Sequence, residues 1–131
     1  MSRRLDKEIA KALGHELVWV DEYLSEFMES TKYRVQVINY VDEYDYEYIP
    51  HYSNNANDML IIYYQSLEYG WNVQISALED KISINIFAFE DGISKNGNEE
   101  ILIALIGEAA GLQLPETFAR AFYQAKTGEE W

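Results

Sequence analysis

The sequence predicts an α+β domain in which a mixed or antiparallel sheet is sandwiched between helices. Three observations carry that expectation. The chain of 131 residues has the size of one domain. Its composition, 48% hydrophobic and 25% charged, suits a packed core rather than disorder. Segments with helical periodicity also alternate along it with segments of strand periodicity.

The first element is a helix over residues 3–13. Leu5, Ile9, Ala12 and Leu13 share one face, with Arg4, Asp6, Lys7, Glu8 and Lys11 elsewhere, and Gly14 supplies the left-handed stop. Glu16–Val20 has the run of apolar residues of a strand. In Asp21–Ser30 the spacing of Tyr23, Leu24, Phe27 and Met28 favours a short helix. Tyr33–Val41 alternates as a strand, with Tyr33, Val35 and Val37 on one side. Asp42–Tyr48 alternates acids with Tyr and then meets Ile49-Pro50. Proline cannot donate to a central ladder, so this stretch is an edge strand or a loop.

Ser53 or Asn54 is positioned to cap a helix running to about Tyr69. Ala56, Met59, Leu60, Tyr63, Tyr64 and Leu67 give that helix a broad apolar face, and Gly70 stops it. Trp71–Ala77 and Lys81–Phe89 then form an antiparallel hairpin central to the sheet. Trp71, Val73, Ile75 and Ala77 share a side, as do Ile82, Ile84, Ile86 and Ala88. Asp91–Asn98 is a loop. Glu99–Ala110 is apolar nearly all round and predicts a buried helix ended by Gly111, with Glu99 and Glu100 at its positive end. Pro115 opens a last helix to about Lys126, with Ala119, Phe122, Tyr123 and Lys126 on one face and Gly128 after it.

Charge bounds the function. Ten Lys and Arg against 23 Asp and Glu leave a net charge of −13, which repels a phosphate backbone and argues against direct nucleic-acid binding. The 46 positions from Val35 to Asp80 contain no Lys or Arg, while Asp42, Glu43, Asp45, Glu47, Asp58, Glu68, Glu79 and Asp80 all fall there. This pattern serves solubility or a basic partner. No Cys is present, so no disulfide, thiolate nucleophile or thiolate metal site is expected. The longest apolar stretches, Met59–Tyr64 and Ile101–Ile106, fall far short of the roughly 18 residues that span a bilayer. No signal peptide and no membrane association are expected, and the expected location is the cytoplasm of a bacterial host.

Catalytic signatures are missing at the level of motif. His15 and His51 lack metal-ligand spacing, and the sequence has no nucleophile elbow, P-loop or dinucleotide fingerprint. Asp42, Glu43, Asp45 and Glu47 could be oxygen ligands, but a calcium loop needs a Gly at its sharp turn and none is here. No cofactor or metal is expected. Eleven Tyr are present, and Tyr40, Tyr44, Tyr46, Tyr48, Tyr52, Tyr63, Tyr64 and Tyr69 crowd residues 40–69. Tyr favours interfaces because its ring buries area while its hydroxyl stays satisfied. Tyr44, Tyr46 and Tyr48 serve equally well as paving for a sheet edge.

Three stretches resemble the phage ABA sandwich domain family. Leu5–Gly14 is similar to that family's opening helix. Pro50-His51-Tyr52-Ser53, the helix after it and Gly70-Trp71 through Ile75 resemble its central pattern. Pro115-Glu116 through Ala121 resembles its closing helix. The chain departs from the pattern in the longer, more acidic Val20–Tyr48 and in the Glu99–Ala110 segment, an apparent insertion. The resemblance implies helices on both sides of a sheet and a phage or prophage origin, and it implies no activity.

The functional expectation is a non-enzymatic protein that binds a basic protein or a nucleic-acid-handling host complex. The binding residues would be Asp42, Glu43, Tyr44, Asp45, Tyr46, Glu47 and Tyr48. One form of this is a counter-defence inhibitor that mimics nucleic acid. The alternative is a small-molecule, nucleotide-like binder or sponge with a pocket lined by Trp19, Trp71 and Tyr residues, and a homodimer is compatible with either.

Overall fold

The computed structural model describes residues 3–23, 32–39, 46–93 and 95–131. Its elements follow the order α1 (Arg3–Ala12), β1 (Glu16–Tyr23), β2 (Lys32–Asn39), β3 (Tyr46–Tyr48), α2 (Ala56–Glu68), β4 (Asn72–Leu78), β5 (Lys81–Ile93), β6 (Glu99–Gly111) and α3 (Leu114–Thr127). The α+β class holds. The strands form two antiparallel three-stranded sheets, β1-β2-β3 and β4-β5-β6.

Local chemistry explains the ends. Gly14 adopts φ 92° after α1, and its N–H donates to the Lys11 carbonyl at 2.9 Å. Gly128 closes α3 in the same left-handed way, donating to the Gln124 carbonyl at 2.8 Å. The cap of α2 is Asn55, not Ser53 or Asn54. Its side-chain oxygen accepts the Asp58 N–H at 3.1 Å, and the Asp58 carboxylate accepts the His51 N–H at 2.7 Å.

The largest correction concerns residues 99–110. They form β6, paired along its length with β5, rather than a buried helix. The continuous apolar run suits either element by periodicity. The β-branched Ile101, Ile103 and Ile106 and the mid-segment Gly107 tip it to strand. β5 accordingly continues to Ile93 through what the sequence suggested was loop. Glu16–Val20 extends as strand to Tyr23, so the short helix expected from Asp21 does not begin there; residues 24–30 lie outside the described residues.

The core unites α1, α2, α3, β2 and β5. Leu5, Ile9, Ile62, Ile84, Ile86, Phe118 and Phe122 are all fully buried within it. By area each contributes roughly 1.5–3 kcal/mol of transfer free energy. α3 lies on β5 and β6, both α1 and α2 pack on α3, α1 also meets β1, and α2 meets β4. Of the hairpin expected at the sheet centre, β5 is central and β4 is an edge strand. In α2 the buried residues are Met59, Ile62 and Ser66, whereas Leu60, Tyr64 and Leu67 are exposed. The helix is apolar on two sides, so composition alone does not choose its inward face.

Three small residues of β6 let α3 approach. Gly107 and Ala109 pair with Ile86 and Ile84 on the core side, and Gly111 pairs with Ile82. A Cβ on Gly107 would stand 2.3 Å from the Ala121 carbonyl oxygen, and one on Gly111 would stand 2.5 Å from Thr117 Oγ1. Arg3 and Asp6 tie the first turn of α1 to the chain after β3. Arg3 donates to Asp6 Oδ2 at 2.8 Å and to the carbonyl of Ile49 at 2.8 Å. Asp6, fully buried, also accepts the Ser53 N–H on Oδ1 at 2.9 Å. The helical pattern had placed Asp6 off the apolar face, yet this tie draws it inside.

Candidate functional site

Of the seven residues that sequence points to, Tyr46, Glu47 and Tyr48 form β3, and Asp42, Glu43, Tyr44 and Asp45 lie outside the described residues. β3 is the edge of its sheet, as Pro50 suggested, and all three of its residues are exposed. Its pairing with β2 sets Tyr48 opposite Val37 and Tyr46 opposite Asn39. On β1 and β2, Glu22 stands opposite Tyr33, and Val20 opposite Val35. Alternation therefore puts Glu22, Tyr33, Tyr46 and Tyr48 on one face.

The four residues converge. Tyr46 Oη donates to Glu22 Oε2 at 2.6 Å, Tyr48 Oη donates to the same oxygen, and Tyr33 Oη donates to Glu22 Oε1 at 3.0 Å. The rings of Tyr46 and Tyr48 meet edge to face with centroids 6.0 Å apart. Beneath them Val37, opposite Tyr48, is fully buried although it stands apart from the main core. Hydrogen bonds from Tyr46 and Tyr48, and then from Tyr33, hold the Glu22 carboxyl below the usual carboxylate range. The same bonds push the phenols of Tyr33, Tyr46 and Tyr48 upward, that of Tyr48 most.

Glu22 was missed by sequence reasoning. It lies near the end of β1, more than 20 residues from β3, and only the β1-β2-β3 register brings it under the tyrosines. The alternation Glu16, Val18, Val20, Glu22 against Tyr33, Val35, Val37 was a readable signal once the strands were paired.

The chemistry of this face follows from donor accounting. Each phenol spends its only proton on Glu22, so its oxygen can offer only lone pairs outward. The rings present π faces and the carboxylate carries a negative charge. The face is thus rich in acceptors and suited to guanidinium or ammonium groups.

The opposite face of the same sheet differs. Trp19, half exposed, has the Lys7 ammonium 5.7 Å and the Arg34 guanidinium 5.6 Å from its ring centroid. Arg34 also faces Asp21 at 3.8 Å. Trp71 is elsewhere, packed between Tyr69 and Phe122 with centroids 4.7 and 5.9 Å away. The two tryptophans expected to share a pocket therefore stand in separate surroundings. Of the other tyrosines, Tyr52 is buried, and desolvation pushes its phenol upward. Tyr63 packs on Phe118.

His51 enters the α2 cap through its backbone N–H, and the buried Ser53 binds Asp6 through its own. No cluster of His, Asp and Glu suited to a metal ion occurs among the described residues. No helix among them is long and apolar enough to cross a membrane. No protein-family model matches the chain, and neither a curated protein nor a solved structure shows significant similarity to it.

Proposed function

We propose that this protein is a non-enzymatic binding module that captures a basic macromolecular surface on the face built from Glu22, Tyr33, Tyr46 and Tyr48, with Asp42, Glu43, Tyr44, Asp45 and Glu47 as further contact residues. The observation that carries this reading is the convergence of three phenol donors on one exposed carboxylate. It orders aromatic side chains before any partner arrives, and preorganised aromatics lose less entropy on binding. It also leaves only acceptors outward, on a chain with a net charge of −13. A partner matched to that face presents Arg and Lys, as the nucleic-acid groove of a host protein does. The counter-defence inhibitor is the specific form of this proposal, with the acidic face standing in for a polyanion.

Electrostatic steering would make association fast at low salt and slow at high salt. The test is capture of host-lysate proteins on the immobilised full chain at low and high salt. Parallel captures use Tyr46→Phe/Tyr48→Phe and a variant with Asp42, Glu43, Asp45 and Glu47 changed to Asn or Gln. Enrichment of a basic or nucleic-acid-handling protein that both variants weaken supports the reading. If no such protein is enriched at either salt, or if capture is indifferent to both variants, the reading fails.

A further inference from the structure

The second sheet ends in an arm whose apolar face is exposed among the described residues. β4 reaches only to Asn72, opposite Phe87, so among the described residues the β5–β6 hairpin continues beyond Phe87 as two strands. A two-stranded ribbon is marginal in water without further cover. This one carries Phe89, Ile101, Ile103 and Leu105 on a single face, all between 48% and 68% exposed.

The outer edge of β6 is managed at one end only. Near the core, the Gln124 side chain accepts the Glu108 N–H at 2.9 Å, and Arg120 donates to the Ala110 carbonyl at 3.2 Å, so α3 satisfies outward peptide groups there. Past the register shift at Ile86/Phe87, antiparallel alternation turns the peptide groups of Ile101, Ile103 and Leu105 outward, and β6 is the last strand of its sheet. Between Glu99 and Gly111 this edge has no Lys, Arg or Pro, the residues that usually keep an edge from pairing.

We infer that the Ile101–Leu105 edge of β6 pairs antiparallel with the same edge of a second copy of this chain, about a two-fold axis through Ile103. The sequence of the edge is self-complementary in that register. Ile103 faces its own counterpart, and Ile101 faces Leu105 of the second copy. Glu99 falls opposite Gly107, Glu100 opposite Ile106 and Glu108 opposite Asn98 of that copy. No two glutamates therefore oppose one another, although each chain is strongly acidic. The pairing satisfies the outward peptide groups that α3 does not reach, and it joins the two apolar strips into one.

The test is sedimentation of the full chain over a concentration series, with the double variant Ile101→Lys/Ile103→Lys. Both side chains are exposed, so the fold should survive, as a circular-dichroism melt would show. The wild type should be dimeric and the double variant monomeric. Because the chain has no Cys, Ile103→Cys provides an independent probe in the otherwise native sequence. Directly opposed residues of a hydrogen-bonded pair lie about 5.5 Å apart at Cα, within the span a disulfide bridges. Mild oxidation should cross-link Ile103→Cys at least about tenfold faster than Leu78→Cys, on the far strand of the same sheet, because pairing raises its local concentration. A wild type that stays monomeric throughout, a dimer that survives the double Lys variant, or cross-linking no faster at 103 than at 78 each overturns the inference.

Discussion

Adding one methyl group at Gly107 separates the observed strand from the helix that residues 99–110 suggest. In the structure the new Cβ would lie 2.3 Å from the Ala121 carbonyl oxygen, 2.9 Å from the Ala125 Cβ and 3.1 Å from the Ala125 nitrogen. The first and third of these are backbone atoms of α3, which no rotamer change can move aside. Gly107 has ordinary backbone angles, so Ala itself adds no conformational strain. Its lower unfolded-state entropy should even return about 0.4–1 kcal/mol. Overpacking typically costs about 1–3 kcal/mol, and here the whole helix must shift to relieve it. The net expectation for Gly107→Ala is a loss of about 2 kcal/mol. At roughly 3–5 °C per kcal/mol for a chain of this length, Tm should fall by about 6–10 °C. In a helix the same change would stabilise by about 1 kcal/mol, so the sign decides. Urea unfolding followed by circular dichroism measures it. Adding Ala125→Gly should not rescue the variant, because the closest contact is to a carbonyl. A neutral or stabilised Gly107→Ala would refute the close approach of β6 to α3.

Other outcomes can be checked with the same unfolding assay. Ile84→Ala, at a fully buried position of the central strand, should lose about 2–5 kcal/mol, and a loss under about 1 kcal/mol would mean that β5 faces the other way. Asp6→Ala strips the Ser53 N–H and Arg3 of their acceptor and should cost about 2–3 kcal/mol. Asp6→Asn should lose visibly less, and equal losses would place the cost outside the Ser53 bond. The Tyr face also makes a pH prediction. The Glu22 carboxyl is held low, so its contribution exists above the ordinary carboxylate pKa and disappears as pH falls through the lowered value. The phenols of Tyr33, Tyr46 and Tyr48 are held high, so their contribution is complete below the usual Tyr pKa of about 10 and disappears as pH rises through the raised values. Tyrosinate absorbance should therefore develop later in the native chain than in Glu22→Gln, and superimposable titration curves would show that the three bonds do not form.

Sequence by itself determined the elements whose signals are local. Gly14, Gly70 and Gly128 ended helices because only the left-handed conformation closes those turns. The period-2 pattern of Trp71–Phe89 predicted the antiparallel hairpin and put Ile84 inside. Pro50 marked the stretch before it as an edge strand or a loop, and β3, which ends at Tyr48, is an edge strand. The α+β class followed from these pieces. Tertiary structure alone decided what several segments did with ambiguous patterns. Residues 99–110 are apolar on every side, so periodicity could not choose strand over helix until β5 offered a partner and α3 needed a glycine beneath it. α2 is apolar on two faces, and its docking on α3 chose Ile62 and Ser66 as the inward ones. Asp6 is buried because an N–H 47 residues away in the chain needed its carboxylate. The candidate site shows the same limit most plainly. Tyr46 and Tyr48 could be picked out as a cluster, but the carboxylate that organises them comes from another strand. A hydrogen bond between residues distant in sequence exists only once strand pairing has brought its donor and acceptor within 3 Å, and no local pattern encodes that distance.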